Sequence, residues 1–497
     1  MQVTSFAFLV FLFAVAAINY CLPRKFRYIL LLIASLGFYA SLDVKGCAVL
    51  AISILTTYGA GLLMDQTVSD QQGTEVDKSS GSTNSGKNNL IFVLCIILNV
   101  GMLVVFKYLG FFAGSVFAVM GKEAPTISIL APIGISFYTL KALSYLIDVK
   151  RGTIKAEKNL AKYALYVSFF TQIISGPIDR ADNLISQFNY PVTVDLEMLK
   201  DGFLQILWGY FMKLVLADRM AVFVADIYGN PVPGTITFIG TLLYTLEIYC
   251  DFAGYSHIVI GAARILGIDV MNNFDAPYLS GSIAEFWRRW HISLSSWLKD
   301  YIYIPLGGNR KGVARKYLNI LIVFAVSGLW HGANWTFVVW GLLHGLYQVV
   351  GYLMKPLRDF WVRLFSVDRE SFAHKVVKTV ITFLLVNLAW VFFRADTISA
   401  AFDVIGKSLS FTPWVLTNGE LFRHGLDEAN MLLLLIGVVI VFVVDLMNAR
   451  GIILREKILR QPIWLRWLIM IAAILVIAVC GIWGPGYDAS SFIYQQF

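Results

Sequence analysis

The chain has 497 residues, of which 58% are hydrophobic and only 14% charged, and it carries a net charge of +8. A soluble domain has about a quarter of its residues charged, so this balance excludes a water-soluble globular protein. The positive charge does not point to nucleic acid: Lys and Arg cluster in short connectors between apolar runs, as in the cytoplasmic loops of membrane proteins.

A spanning helix needs about 20 apolar residues, and about ten to twelve hydrophobic segments recur along the chain, some too short to cross alone. The fold class is therefore an all-α polytopic membrane protein whose shorter segments are re-entrant or interfacial helices. The five cysteines are scattered with no CxxC pair, which supports neither a disulfide framework nor a zinc site.

The first apolar run, Val3 to Tyr20, has basic residues after it and none before, so it reads as a retained helix with the N-terminus outside. Tyr28 to Leu42 and Gly46 to Met64 follow. Asp65 to Asn89 is rich in Ser, Thr, Asn, Gln and Gly, a composition expected of a mobile loop. Leu90 to Phe106 and a further run to Met120 are apolar. PIGISFYTLKALSYLIDVKRG leads into a dense basic cluster at Lys150, Arg151, Lys155, Lys158 and Lys162, read as cytoplasmic. In VSFFTQIISGPIDRADNL the Ser175-Gly176-Pro177 run breaks the helix. A break at membrane depth must be buried in protein or line a cavity.

Phe203 to Tyr228 carries Lys213, Asp218 and Arg219, and the next helix carries Glu247, Asp251 and His257. Asp251 and His257 are six residues apart and do not share a helix face, so pairing of this group with arginines of the 285–316 region is expected instead. Val376 to Phe393, Met431 to Leu446 and Leu468 to Trp483 complete the spans. The basic loop from Arg450 to Arg466 sends the last span, and the tail after it, to the outside. No repeat is visible, and a single membrane domain over 1–497 is expected, with a flexible loop at 65–89, a catalytic core at 285–345 and an extracytoplasmic tail at 485–497.

The core stretch holds three of the six histidines: His291, His331 and His344. Apolar positions 283, 286, 287, 290, 294, 297, 298 and 301 keep helical spacing, so one helix with an aromatic stripe of Trp287, Trp290, Leu294, Trp297 and Tyr301 is expected over 283–301. Such a helix can lie at the membrane surface. Composition leaves His291 open between a packing boundary and a functional ring. Gly328 and Gly332 bracket His331, and Gly341 and Gly345 bracket His344, spacing that lets helices approach closely. A neutral buried imidazole can take a proton from a hydroxyl and return it to a leaving group. For His331 the balance favours chemistry; for His344 it favours packing. HExxH, Walker and GxSxG motifs are absent, so metalloenzyme, NTPase and serine-hydrolase readings lack support, and no metal is expected.

The succession PIGISFYTLKALSYLIDVKRG, SFFTQIISGPIDR, IYCDFAGYSHIVIG, FWRRWHISLSSWLKDYIYIPLGGNR and SGLWHGANWTFVVWGLLHG resembles the membrane-bound O-acyltransferases. The resemblance is to the bacterial branch that O-acetylates alginate, peptidoglycan and related surface polymers, over roughly residues 1 to 350. It implies membrane helices around a central tunnel, with His331 of the WHG motif as the essential histidine and His291 of RWHISLS as a second active-site histidine. It also implies a cytoplasmic thioester donor, acetyl-CoA or an acyl carrier, and O-acetylation of an extracytoplasmic polysaccharide. The setting would be the inner membrane of a bacterium, in contact with membrane lipid and with an extracytoplasmic partner acyltransferase of SGNH-hydrolase-like or similar kind. Trp287, Trp290, Trp330, Asn334 and Tyr301 are the candidate substrate contacts, and Asn334, Trp330 or Tyr301 could stabilise an oxyanion. The tail Phe492-Ile493-Tyr494-Gln495-Gln496-Phe497 resembles an F-x-Y-x-x-F acyl-transfer motif, with Tyr494 as acyl carrier or as interfacial anchor. D-alanyl transfer to teichoic acid and, from another class, a transporter with proton-relay histidines stand as alternatives.

Overall fold

The computed structural model describes residues 1–72, 81–123, 125, 129–190 and 196–482. Helices dominate, and no strand occurs among the described residues. Nine helices there are long and apolar enough to cross a membrane, from Arg24–Leu42 to Ile463–Cys480. Phe6–Cys21 is apolar but shorter. The spans read from hydrophobicity are present, mostly with ends shifted by a few residues. Helices Gly46–Gln72 and Gly81–Leu103 extend into the 65–89 stretch from both sides. A helix satisfies its own backbone, so it can continue beyond the apolar run that anchors it. Residues 73–80 lie outside the described residues.

By its contacts the chain divides into two compact units. The first comprises Met1–Gly202 and Val259–Met271. Its interior is aromatic: Phe8, Phe38 and Phe170 form one cluster, and the Tyr145 and Tyr163 rings meet at 4.4 Å between centroids, tilted by 45°. The break expected near Ser175-Gly176-Pro177 is real. Leu160–Ser168 ends, and residues 169–179 run as buried turns. Lipid could not serve this backbone, so protein does: Ser35 Oγ accepts from the Phe170 N–H (3.1 Å), and Phe169 and Gln172 carbonyls accept from Ile173 and Gly176.

The second unit comprises Phe203–Ile258 and Asn272–Phe497. Its centre is the antiparallel pair Val313–His331 and Trp335–Leu353. A Cβ at Gly328 would strike the Phe337 carbonyl, and one at Gly341 would strike that of Phe324. The expected small-residue contact therefore exists, and it is what brings the two backbones together. At the far end of the pair Lys316 Nζ sits 3.6 Å over the Tyr352 ring, and Tyr317 stacks on Tyr352.

The 283–301 stretch is not one helix. Ile283–Arg289 stops, Trp290 is extended, His291 is left-handed, and Ile292–Leu298 starts anew before a π-turn at Lys299–Tyr303. Its aromatic stripe is also not presented at a surface, since Trp287, Trp290, Leu294 and Trp297 are all buried in protein. Helical spacing persisted across the kink because both short helices bury the same side.

Gly341→Val should lower stability by about 1–3 kcal/mol, because its branched side chain meets backbone that cannot retreat. Gly351→Ala, on the same helix with open space around it, should be neutral or mildly stabilising. Thermal unfolding of the purified protein separates the two.

Candidate active site

The kinked segment carries the first candidate ring, His291. Ser282 caps Ile283–Arg289 by accepting from the Glu285 N–H (3.2 Å), and Glu285 accepts in turn from the Gly281 N–H and pairs with Arg289 (2.9 Å). The helix then ends and His291 adopts φ 45°, ψ 53°. A non-glycine residue in that region costs about 1–3 kcal/mol and persists only where its surroundings hold it. The His291 ring is fully buried, 4.7 Å from the Phe252 ring. Burial pushes its pKa down to about 3, so the imidazole is neutral at physiological pH.

His331 is the last residue of Val313–His331, where the helix leaves its final carbonyls and opens into Gly332. Its ring is 2% exposed, and its centroid is 6.3 Å from that of His291, with a 59° angle between the planes. Trp330 touches both, at 6.0 Å from His291 and 5.0 Å from His331. Trp340 and Phe393 meet His331 edge-on at 4.9 and 5.3 Å. Two histidines distant in sequence thus share one apolar enclosure. An imidazole in such a place can accept a hydroxyl proton while bulk water is kept out.

The other candidate residues occupy different positions. Trp287 and Trp290 belong to the wall behind the pair: Trp290 packs on Phe274, Phe286 and Trp390, and Trp287 on Phe324, Trp340 and His344. His344 joins this wall, stacked parallel to Phe286, and meets Trp340, the ring that also touches His331. Tyr301 lies in the π-turn, against Trp297. Asn334 caps Trp335–Leu353: its Oδ1 accepts from the Thr336 N–H (3.1 Å) and its Nδ2 donates to the Asp396 carbonyl (2.9 Å). Tyr494 and the rest of the tail lie outside the described residues. Sequence reading missed Phe252, Trp340 and Phe393. Trp340 did leave a trace, one helical turn before His344 on the same face.

The second polar group pairs otherwise than expected. Lys213 Nζ lies 2.5 Å from Asp251 and 2.8 Å from Asp218, with all three side chains buried. Arg289, one of the arginines of 285–316, is held by Glu285. The cause is a close helix crossing, where a Cβ on Gly254 would meet the Gly209 carbonyl and the Lys213 backbone nitrogen. That contact, beside the π-turn Phe211–Ala217, sets Lys213 against the Asp251 turn. His257 instead meets Gln205 (3.4 Å).

The family model of membrane-bound O-acyltransferases matches residues 33–392. The probable alginate O-acetylase of Pseudomonas putida is 37% identical over 404 residues, covering 80% of this chain and 78% of that protein. The probable alginate O-acetylase of Pseudomonas aeruginosa is 35% identical over 427 residues (85% and 76%). The peptidoglycan O-acetyltransferase of Helicobacter pylori is 35% identical over 408 residues (76% and 72%).

Lys213→Met would leave two buried carboxylates without their cation and should destabilise the protein by about 3–5 kcal/mol. The check is the fraction recovered folded from membranes, together with its melting temperature.

Proposed function

The chain belongs to the membrane-bound O-acyltransferase family, and from that premise we propose that it moves an acetyl group from a cytoplasmic thioester across the membrane for O-acetylation of an extracytoplasmic polysaccharide. The observation that carries this reading is the His291–His331 pair, two buried rings 6.3 Å apart within one aromatic enclosure.

In the proposed reaction His331 takes the proton of an acceptor hydroxyl. The oxygen attacks the thioester carbonyl, the C–S bond breaks, and the imidazolium returns its proton to the departing thiolate. His291 lies beside the reacting carbonyl and orients it. The aromatic walls exclude the water that would otherwise hydrolyse the donor.

The charge pattern supports the direction of transfer. Arg310, Lys311, Arg315 and Lys316 lie at the end of the helix pair opposite His331, and Lys355 and Arg358 follow Leu353 at that same end. Basic loops mark the cytoplasmic face of an inner membrane. From Lys316 to His331 the helix rises about 22 Å at 1.5 Å per residue, so a cytoplasmic donor must reach deep to meet the pair. An extended thioester arm, as in acetyl-CoA or an acyl carrier, suits that depth. On the same reading both termini would lie outside. There Tyr494 would receive the acyl group and present it to a partner acyltransferase, of SGNH-hydrolase-like or similar kind. The transporter reading gives way to the family assignment.

In cells that depend on this chain, His331→Ala should cut ester-linked acetyl on envelope glycans by at least about 100-fold, with the chain still inserted in the membrane. Mass spectrometry of the released glycans reads this out; undiminished acetylation would refute the role of His331, and alanyl esters in wild-type cells would replace acetyl by D-alanyl transfer. Tyr494→Phe should abolish polymer acetylation and, because the acceptor hydroxyl itself is lost, thioester cleavage with it. Full acetylation in that variant would end the carrier role.

A further inference from the structure

We propose that Asn273 is a positioning residue that holds the His291 ring in its working orientation; this rests on reading His291 as part of the active site. Asn273 follows the long helix Thr235–Ile265 and is 1% exposed. Its backbone carbonyl accepts from the Ile292 N–H (3.0 Å). Its side-chain Oδ1 accepts from the Ser293 N–H (3.2 Å) and from Ser293 Oγ (2.9 Å), and its Nδ2 donates to Ser256 Oγ (3.4 Å). Two residues on, the Asp275 N–H donates to the Arg289 carbonyl (3.0 Å). Residues 273–275 therefore bind both flanks of the Trp290–His291 kink, one bond to the helix before it and three to the helix after it.

The chemistry explains why an asparagine suits this place. Ile292–Leu298 begins without a side-chain cap of its own, because His291 occupies the N-cap position in a left-handed conformation. The amide N–H groups of Ile292 and Ser293 would be orphaned in an apolar interior. Asn273 answers both, one with its main chain and one with its side chain, while Ser256 fixes the amide so that oxygen faces Ser293. A short, neutral side chain with an acceptor at one end and a donor at the other meets all of these needs without burying a charge. Without the Oδ1 contact, the first turn after the kink is free to unwind, and His291 sits at its origin. A shift of about 1 Å in a reacting group can cost about 100-fold in rate.

The test uses membranes containing the full chain, acetyl-CoA as donor and an acceptor oligosaccharide, with thiol release as readout. Asn273→Ala should lower kcat about 100-fold and leave KM for acetyl-CoA unchanged. Asn273→Asp, which keeps an acceptor oxygen in place, should recover at least about tenfold of that loss. In a His291→Gln background, Asn273→Ala should cost less than about threefold more, because a residue that acts through His291 has little left to position. A kcat within twofold of wild type for Asn273→Ala alone, or the same full loss in the His291→Gln background, would overturn the inference. A wild-type rate for His291→Gln would overturn the role of His291 itself and this inference with it. Should Asn273→Ala fail to accumulate, Ser293→Ala takes its place. It removes one of the two donors to Oδ1 and should lower kcat severalfold at constant KM, and an unchanged kcat would overturn the inference.

Discussion

A hydrocarbon interior offers no hydrogen bonds, so every interruption of a helix there must be answered by protein. That constraint shapes the whole of the second unit. The chain interrupts a helix at Trp290–His291, where the left-handed His291 is fully buried in protein. The exposed backbone is answered by residues 273–275, and the interruption is enclosed with Trp287, Trp290, Trp340, Trp390 and Phe393. The same rule governs the turns at 169–179 in the first unit, served by Ser35 and by their own carbonyls. It governs the Lys213–Asp218–Asp251 cluster too, where three buried charges are kept by mutual pairing.

Enclosure has a chemical consequence. A neutral imidazole is the form that accepts a proton, and the apolar wall that holds His291 uncharged also keeps out bulk water, as the proposed acyl transfer from a thioester requires. Rigid packing supports this, because the wall is built from rings in edge-on and stacked contact rather than from flexible side chains. His331 adds a different device. It ends a helix anchored to its neighbour through Gly328 and Gly341, so the ring is fixed by two backbones in close contact.

Much of this was legible in the sequence, for identifiable reasons. Spans follow from apolar run length, which lipid thickness dictates directly. The two histidine motifs stood out because polar rings in apolar company are rare, and the glycine spacing around His331 foretold the close helix pair. The kink at His291 was hidden, since the apolar positions keep a helical period on both sides of it. A left-handed histidine has no sequence signature of its own. The Lys213–Asp251 pairing depended on where two helices cross, which local spacing does not encode. Asn273 likewise acts across a turn rather than along a helix. Asn334 looked like a candidate oxyanion donor from its place beside WHG, yet its amide spends both ends on a helix cap and the Asp396 carbonyl.

The central claim is that the thioester carbonyl meets the two histidines inside the aromatic enclosure. A cryo-EM structure of the full chain with a non-hydrolysable acetyl-CoA analogue tests it most directly. The expected map has the acyl group between the rings of His291 and His331, with a ring nitrogen at about hydrogen-bond distance, roughly 3 Å, from the reacting groups. An acyl group bound elsewhere, with both rings still packed against Trp330 and Trp340 and no ligand between them, would contradict it.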